Sequence, residues 1–332
     1  MMRYLLRRLG WAVFVVSLVT TGTFVLLNVV GDPAKAKFGG RASAAVLAEF
    51  RAKHGLDRPA HQQFAAYLGV SPCLRRSAAD DPYAVPRGAH CGLLQGDLGR
   101  SYTDEQPVSQ LIAARMPRTI LLGMMAMVVE VLLGVSLGIA AAVFRGGLFD
   151  RSVMTGTVLT MSLPTFVTGP AALMILAFLF GLFPLGGYGT DALDHVRHGL
   201  LPALVLGIGG ASGYARIMRT EMLDTLRADY VRTARAKGLS PGSVVVHHAF
   251  RNALLPLVTL LGLSLPGLVG GAIITEAVFG WPGIGRLTVE ALNNVDRPTV
   301  MAVVLIASVA VQLGNLLADV LVAALDPRVR TQ

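Results

Sequence analysis

"ARAKGLSPGSVVVHHAFRNALLPL", Ala234 to Leu257, decides how this chain is read. It crowds Arg235, Lys237, His247, His248 and Arg251 into a stretch broken by Gly238, Pro241 and Gly242, and it sits between long apolar runs. Upstream, Arg219 to Lys237 has helical spacing. Leu223, Leu226, Tyr230 and Thr233 or Ala234 form one stripe, with Arg227, Asp229, Arg232 and Arg235 on other faces. Gly238 ends that helix, because glycine enters the left-handed backbone after a basic last turn without a Cβ penalty. Ser240-Pro241-Gly242 makes the turn, a second helix begins near Ser243, and the chain re-enters an apolar run at Leu254 to Pro256. Ala234, Ala236 and Gly238 are small enough for another protein's surface to approach, while Arg235 and Lys237 offer charge to an acidic rim. An amphipathic helix lying on anionic headgroups is the alternative that these residues leave open. Adjacent His247 and His248 point to different helix faces and do not read as a metal pair.

Hydrophobic residues make up 53% of the 332 and charged residues 15%, and mean hydropathy is +0.60. That leaves too little polar surface for a soluble globule and predicts an all-α integral membrane protein. Apolar runs near the length needed to cross hydrocarbon fall at 9 to 30, 118 to 144, 165 to 183, 199 to 217, 254 to 275 and 299 to 322, giving six predicted spans. Ser152 to Leu182 is too short for two spans and a turn, so it reads as one span with an interfacial lead-in. Pro164 removes a backbone donor and restricts Leu163, which predicts a kink or restart there.

Orientation follows from arginine and lysine near span ends. Arg3, Arg7 and Arg8 precede the first span; Arg145 and Arg151 follow the second. Arg216, Arg219, Arg227, Arg232, Arg235, Lys237 and Arg251 surround the quoted hairpin, and Arg328 and Arg330 close the chain. Six spans put all four groups on one face, the cytoplasmic one, with both termini. The net charge of +9 is therefore spread beside span ends and does not form a nucleic-acid surface. The first apolar run is longer than a signal h-region and reads as a retained span, although Ala34-Lys35-Ala36 resembles a cleavage site.

The polar segment 31 to 117 then lies outside the cytoplasm and holds both cysteines, Cys73 and Cys91. A lone pair in one loop of an oxidising compartment reads as a disulfide, with two free thiols as the alternative. His54, His61 and His90 show no metal-ligand spacing. All four lysines follow alanine, so there is no Gly-Lys-Ser/Thr phosphate loop, and no catalytic cluster is found. "GIGGASG", Gly207 to Gly213, reads as a close helix contact inside a span. Glu130 lies mid-span, and Gln312, Asn315 and Asp319 recur along one face of the last run. Such groups face protein or water. For Glu130 a hydrogen bond to a neighbouring helix, a place on a substrate path and proton coupling all stay open.

"YVRTARAKGLSPGSVVVHHAFRNALLPLV", Tyr230 to Val258, closely resembles the cytoplasmic loop of ABC importer permeases of the dipeptide/oligopeptide/nickel group. "GDP" (31–33), "GLDRP" (55–59), "GDLGRSY" (96–102), "ARMPRT" (114–119), "TEAVFGWPGIGRL" (275–287) and "LDPRVR" (325–330) follow in that group's order. Two features depart from it: residues from about 70 to 92 intervene before "GDLG", and Glu130 replaces an apolar position.

The resemblance implies the six-helix type I importer permease fold in a bacterial inner membrane. An amino-terminal span would occupy 1–30, an extracytoplasmic segment 31–115, a permease core 116–323 with its coupling loop at about 217–253, and a cytoplasmic tail 324–332. It implies that Tyr230, Arg232, Ala234, Arg235, Ala236, Lys237, Gly238 and Leu239 dock on an ATP-hydrolysing subunit. Asn252 and Pro256 would shape the loop, and Glu130, Gln312 and Asn315 are candidates for the path. Its implied partners are a sister permease, two ATP-binding subunits and a periplasmic or lipid-anchored substrate-binding protein. The chain itself would bind no cofactor. Peptides are the expected substrate, with nickel or another small ligand as the alternative and a proton-driven carrier as the alternative from another class.

Overall fold

The computed structural model describes residues 2–39, 42–75, 84–86, 88–270 and 273–325. Their regular structure is helical apart from two isolated antiparallel bridges, Pro72 with His90 and Arg100 with Pro107. Among the described residues, four helices are long and apolar enough to cross a membrane: Arg7–Val29 within α1 (Met2–Val30), α5 (Val108–Val143), α8 (Ala192–Leu226) and Arg297–Leu317 within α14 (Arg297–Leu325). A fifth candidate is a bent pair. α6 (Leu148–Ser162) and α7 (Thr165–Ala172), the latter continued by π-type turns over Leu173–Leu179, meet at 103°. The break falls where the sequence predicts it: Leu163 and Pro164 are both extended, and Thr165 restarts the helix. The apolar run at 254–275 corresponds to the 20-residue α11 (Arg251–Gly270); residues 271 and 272, like the closing "LDPRVR" after Leu325, lie outside the described residues.

The chain forms two compact units, one of Leu6–Met116 with Leu287–Val309, the other of Pro117–Arg286 with the chain before Leu6 and from Ala310 onward. In the first, α2 (Pro33–Phe38) starts at Asp32, whose carboxylate accepts the Ala34 N–H at 3.0 Å. Asp32 also pairs with Arg51 of α3 (Ala44–His54), and that guanidinium holds its carboxyl below the usual range. α3 and α4 (Ala60–Leu68) end in left-handed glycines, Gly55 and Gly69. Buried Asp296 accepts from the Ser101 hydroxyl (2.5 Å), the Tyr102 N–H (3.0 Å) and the Thr299 hydroxyl (2.8 Å), fastening the 99–102 loop to the start of α14. His54 lies between Phe50 and Tyr102, with ring centroids 4.4 and 4.7 Å away. Burial, helped by Lys53 and Lys37, pushes its imidazole down to about 4. Cys73 and Cys91 form a disulfide with Cα atoms 5.1 Å apart. Between the end of α1, α4, the 97–102 loop and the start of α14 lies a cavity of about 150 Å³, walled largely by Phe24, Leu27, Leu56, Leu98 and Met301.

The second unit is built on close backbone approach. A Cβ at Gly134 or Gly138 of α5 would come within 2.4 Å of Tyr214 Cβ or 2.6 Å of Met218 Cβ on α8. One at Gly207 would meet Val129 Cβ at 2.5 Å, so within "GIGGASG" the expected helix contact falls on Gly207 and Gly210, whereas Gly209 and Gly213 have nothing within 4 Å. Tyr214, Met218 and Met222 are buried with Ala249, Ala253 and Leu257. Asp150, near the start of α6, receives Arg219 of α8 at 2.5 and 2.7 Å and the Gly146 N–H at 2.8 Å. Between α12 (Ile273–Val278) and α13 (Ile284–Asn293) the chain turns tightly through Gly280 (φ 63°) and fully buried Trp281, whose indole N–H donates to the Arg118 carbonyl at 3.0 Å.

Candidate functional site

The basic hairpin is built from three pieces. α8 does not run on to Lys237: it stops at Leu226, Arg227 and Ala228 close the turn, and α9 begins afresh at Asp229 and ends at Ala236. The break changes which residues face inward. Val231 and Ala234 are buried against Val244, with Leu226 packed on them, whereas Tyr230 and Thr233 are exposed. The stripe expected through Tyr230 is thus corrected, because a continuous helical period does not survive the non-helical Ala228 (ψ 149°).

The end of α9 is a Schellman closure. Gly238 donates to the Arg235 carbonyl at 3.0 Å and Leu239 to the Ala234 carbonyl at 3.4 Å, with Gly238 at φ 79°. Nothing stands within 4 Å of where a Cβ on Gly238 would be, so backbone conformation alone demands glycine there. Ser240 then caps α10 (Pro241–Ser243) by accepting the Ser243 N–H, and π-type turns over Val244–Phe250 lead into α11. Asn252 donates to the His248 carbonyl at 2.9 Å across this junction, and Pro256 follows half-buried within α11.

Of the residues assigned to docking, Tyr230, Arg232, Arg235, Ala236, Lys237, Gly238 and Leu239 are exposed together; Ala234 alone turns inward. Arg232 and Asp229 pair at 3.4 Å with both side chains in solvent, a contact that contributes little to stability. Beneath α9, a cleft of about 480 Å³ combines Arg145, Arg227 and Arg235 with Leu223, Leu226 and Leu239. The hairpin therefore presents an apolar-centred, basic-rimmed surface on a helix held by its own buried Val231. Val231 carries no sequence signal because only the break after Leu226 turns it inward, where it meets Val244 of the following segment.

Glu130 faces α8 at Gly210, where a Cβ would come within 2.1 Å of its carboxyl; glycine at 210 makes room for the acid. Gln312 and Asn315 are half-buried on α14. Two groups that the reading did not pair are joined in the fold. Arg219, one of the basic residues flanking the hairpin, is held by Asp150, and Glu276, fully buried within the "TEAVFGWPGIGRL" segment, accepts from the Thr119 hydroxyl at 2.8 Å. Neither pairing has a local sequence signal, since the partners are 69 and 157 residues apart.

Residues 134–331 match the family described as binding-protein-dependent transport system inner membrane component, and residues 1–123 match the amino-terminal region of such membrane components. The chain is 40% identical over 331 residues to the glutathione transport system permease protein of Salmonella typhimurium, covering 99% of each. It is 33% identical over 336 residues to the oligopeptide transport system permease protein of Bacillus subtilis, again 99% of each. It is 36% identical over 357 residues to the di/tripeptide transport system permease protein of Pseudomonas aeruginosa, covering all of both. The resemblance carried by the hairpin thus extends along the whole chain. The chain belongs to the binding-protein-dependent transport system inner membrane components, as a multi-pass permease subunit of an ABC importer.

Proposed function

We propose that this subunit, paired with a sister permease, forms a translocation path for short peptides. Two ATP-binding subunits would supply the energy and a substrate-binding protein would deliver the cargo. The observation that carries the substrate class is the set of full-length relatives: those named above serve glutathione, oligopeptides and di- or tripeptides, which share amide-linked amino acids with a free carboxylate. In this reading the exposed face of α9 and the turn that closes it, from Tyr230 to Leu239, dock on an ATP-binding subunit, and the Schellman end at Gly238 sets the angle at which they are presented. Asn252 and Pro256 shape the return, and Glu130, Gln312 and Asn315 line the path. The chain binds no cofactor itself, while its partners use ATP.

α11 supplies the sixth span beside the four helices and the bent pair. Both termini and the basic hairpin then face the cytoplasm, and the segment between α1 and α5 faces the other side. Proteoliposomes holding the complete complex provide the test. Uptake of a labelled dipeptide should require ATP and the binding protein, and unlabelled tripeptide or glutathione should compete. Uptake driven by a proton gradient without the ATP-binding subunits would overturn the reading.

A further inference from the structure

The cavity of about 150 Å³ in the amino-terminal unit is unlike an ordinary packing void, because its apolar walls carry polar atoms that the protein leaves unsatisfied. Tyr67 Oη, Arg75 Nε and Arg297 Nε are all buried without a hydrogen-bond partner among the described residues, and all three residues line it. Buried donors are ordinarily paired, so three around one space call for an acceptor from outside the chain. The charge points the same way. Arg297 spends its terminal nitrogens on two neutral acceptors, the Asn28 side-chain oxygen (3.0 Å) and the Gly31 carbonyl (2.7 Å). Arg75 reaches the Asp97 carboxylate at 3.3 Å, and Asp97 is the one acidic residue among the described lining, against Arg75, Arg100 and Arg297. An excess of guanidinium in a half-buried, mostly apolar space disfavours a cation and leaves a neutral ligand without its natural complement.

We propose that this cavity is a binding site for a small carboxylate with a short apolar tail. The carboxylate lies against the Nε groups of Arg75 and Arg297 and the Tyr67 hydroxyl, and the tail lies among Leu27, Leu98 and Met301. A space of about 150 Å³ has the size known to take a benzene-sized guest, so the ligand is no larger than one amino-acid side chain with its carboxylate. A whole dipeptide does not fit. The same chemistry has two sources, a free short-chain acid or the last residue of a peptide entering by its C-terminus. The inference rests on the cavity alone and stands whether or not the subunit carries peptides.

The test uses the full-length chain in lipid nanodiscs, with isovalerate as probe and its neutral analogue methyl isobutyl ketone as control, read by ligand-observed saturation-transfer NMR. Isovalerate should bind saturably and the ketone should not. A peptide ending in leucine should displace the acid if peptide C-termini enter, and its amide should not; failure of both to displace it assigns the site to free acids. Tyr67→Phe removes only a hydroxyl with no protein partner, so the chain folds as before while affinity falls about threefold to tenfold. Ala66→Leu should fill the space and abolish binding. Absence of saturable isovalerate binding overturns the proposal, as do equal binding of the ketone or unchanged affinity in both variants.

Discussion

The Thr119 hydroxyl donates a 2.8 Å hydrogen bond to the Glu276 carboxylate while accepting one of 2.7 Å from the Ile284 N–H. The other carboxylate oxygen accepts the Arg286 N–H at 3.2 Å, and Glu276 is wholly buried. One acid thus joins α5, α12 and the start of α13. Gly283 lies so close that a Cβ there would stand 2.3 Å from the carboxylate. Glu276→Gln keeps one acceptor but turns an amide against a backbone donor, and is expected to cost about 1–2 kcal/mol. Glu276→Ala, which orphans the donors, should cost about 3–4 kcal/mol, and Gly283→Ala should resemble it by expelling the carboxylate. Thermal unfolding in detergent checks the order; a Glu276→Ala protein as stable as the parent would refute it.

Gly238 tests the docking assignment without steric interference, since a Cβ there meets nothing and only the positive φ objects. Gly238→Val should cost about 1–2 kcal/mol at the end of α9 and uncouple substrate-stimulated ATP hydrolysis in the assembled complex. Gly238→Asn, which tolerates the left-handed region, should retain most of it. Equal stimulation in the Val and Gly complexes would remove α9 from the coupling path.

Acid should weaken the amino-terminal unit through His54. Its folded pKa, about 4, lies below the ordinary histidine value, so the unfolded chain binds the proton first. Stability contributed by the neutral ring is complete above about pH 6.5 and is lost as pH falls toward 4. Allowing for partial exposure of the ring, the loss between pH 7.5 and 5.5 should be about 1 kcal/mol. Melting curves of the parent and of His54→Gln at the two pH values measure it: the parent's drop should shrink in the variant, and an identical drop would exclude His54.

The Cys73–Cys91 bridge closes a local loop, with the two cysteines 18 residues apart. Alkylation without reduction, followed by mass spectrometry, should label neither thiol in protein from an oxidising compartment. Replacing both with serine should lower resistance of the 73–91 loop to proteolysis by an amount corresponding to about 3 kcal/mol on the chain-entropy estimate. Membrane insertion and assembly with ATP-binding subunits should be unchanged, and failure to assemble would show that the bridge is more than local.

What the sequence determined by itself is whatever depends on neighbours along the chain. The apolar runs marked the long helices, Pro164 marked the restart between α6 and α7, and Gly238 marked the left-handed end of α9. Gly207 and Gly210 marked a close helix contact, and two cysteines in one loop marked their own partner. Tertiary structure alone decided the 103° angle at Pro164, the break after Leu226 that buries Val231 and frees Tyr230, and the pairing of Asp150 with Arg219 and of Glu276 with Thr119. The physical reason is one of range. Periodicity, capping and proline geometry act over a few residues and leave a trace in order and spacing. A buried carboxylate, by contrast, is satisfied by whichever donor packing brings to it, and donors 69 or 157 residues away leave no local mark.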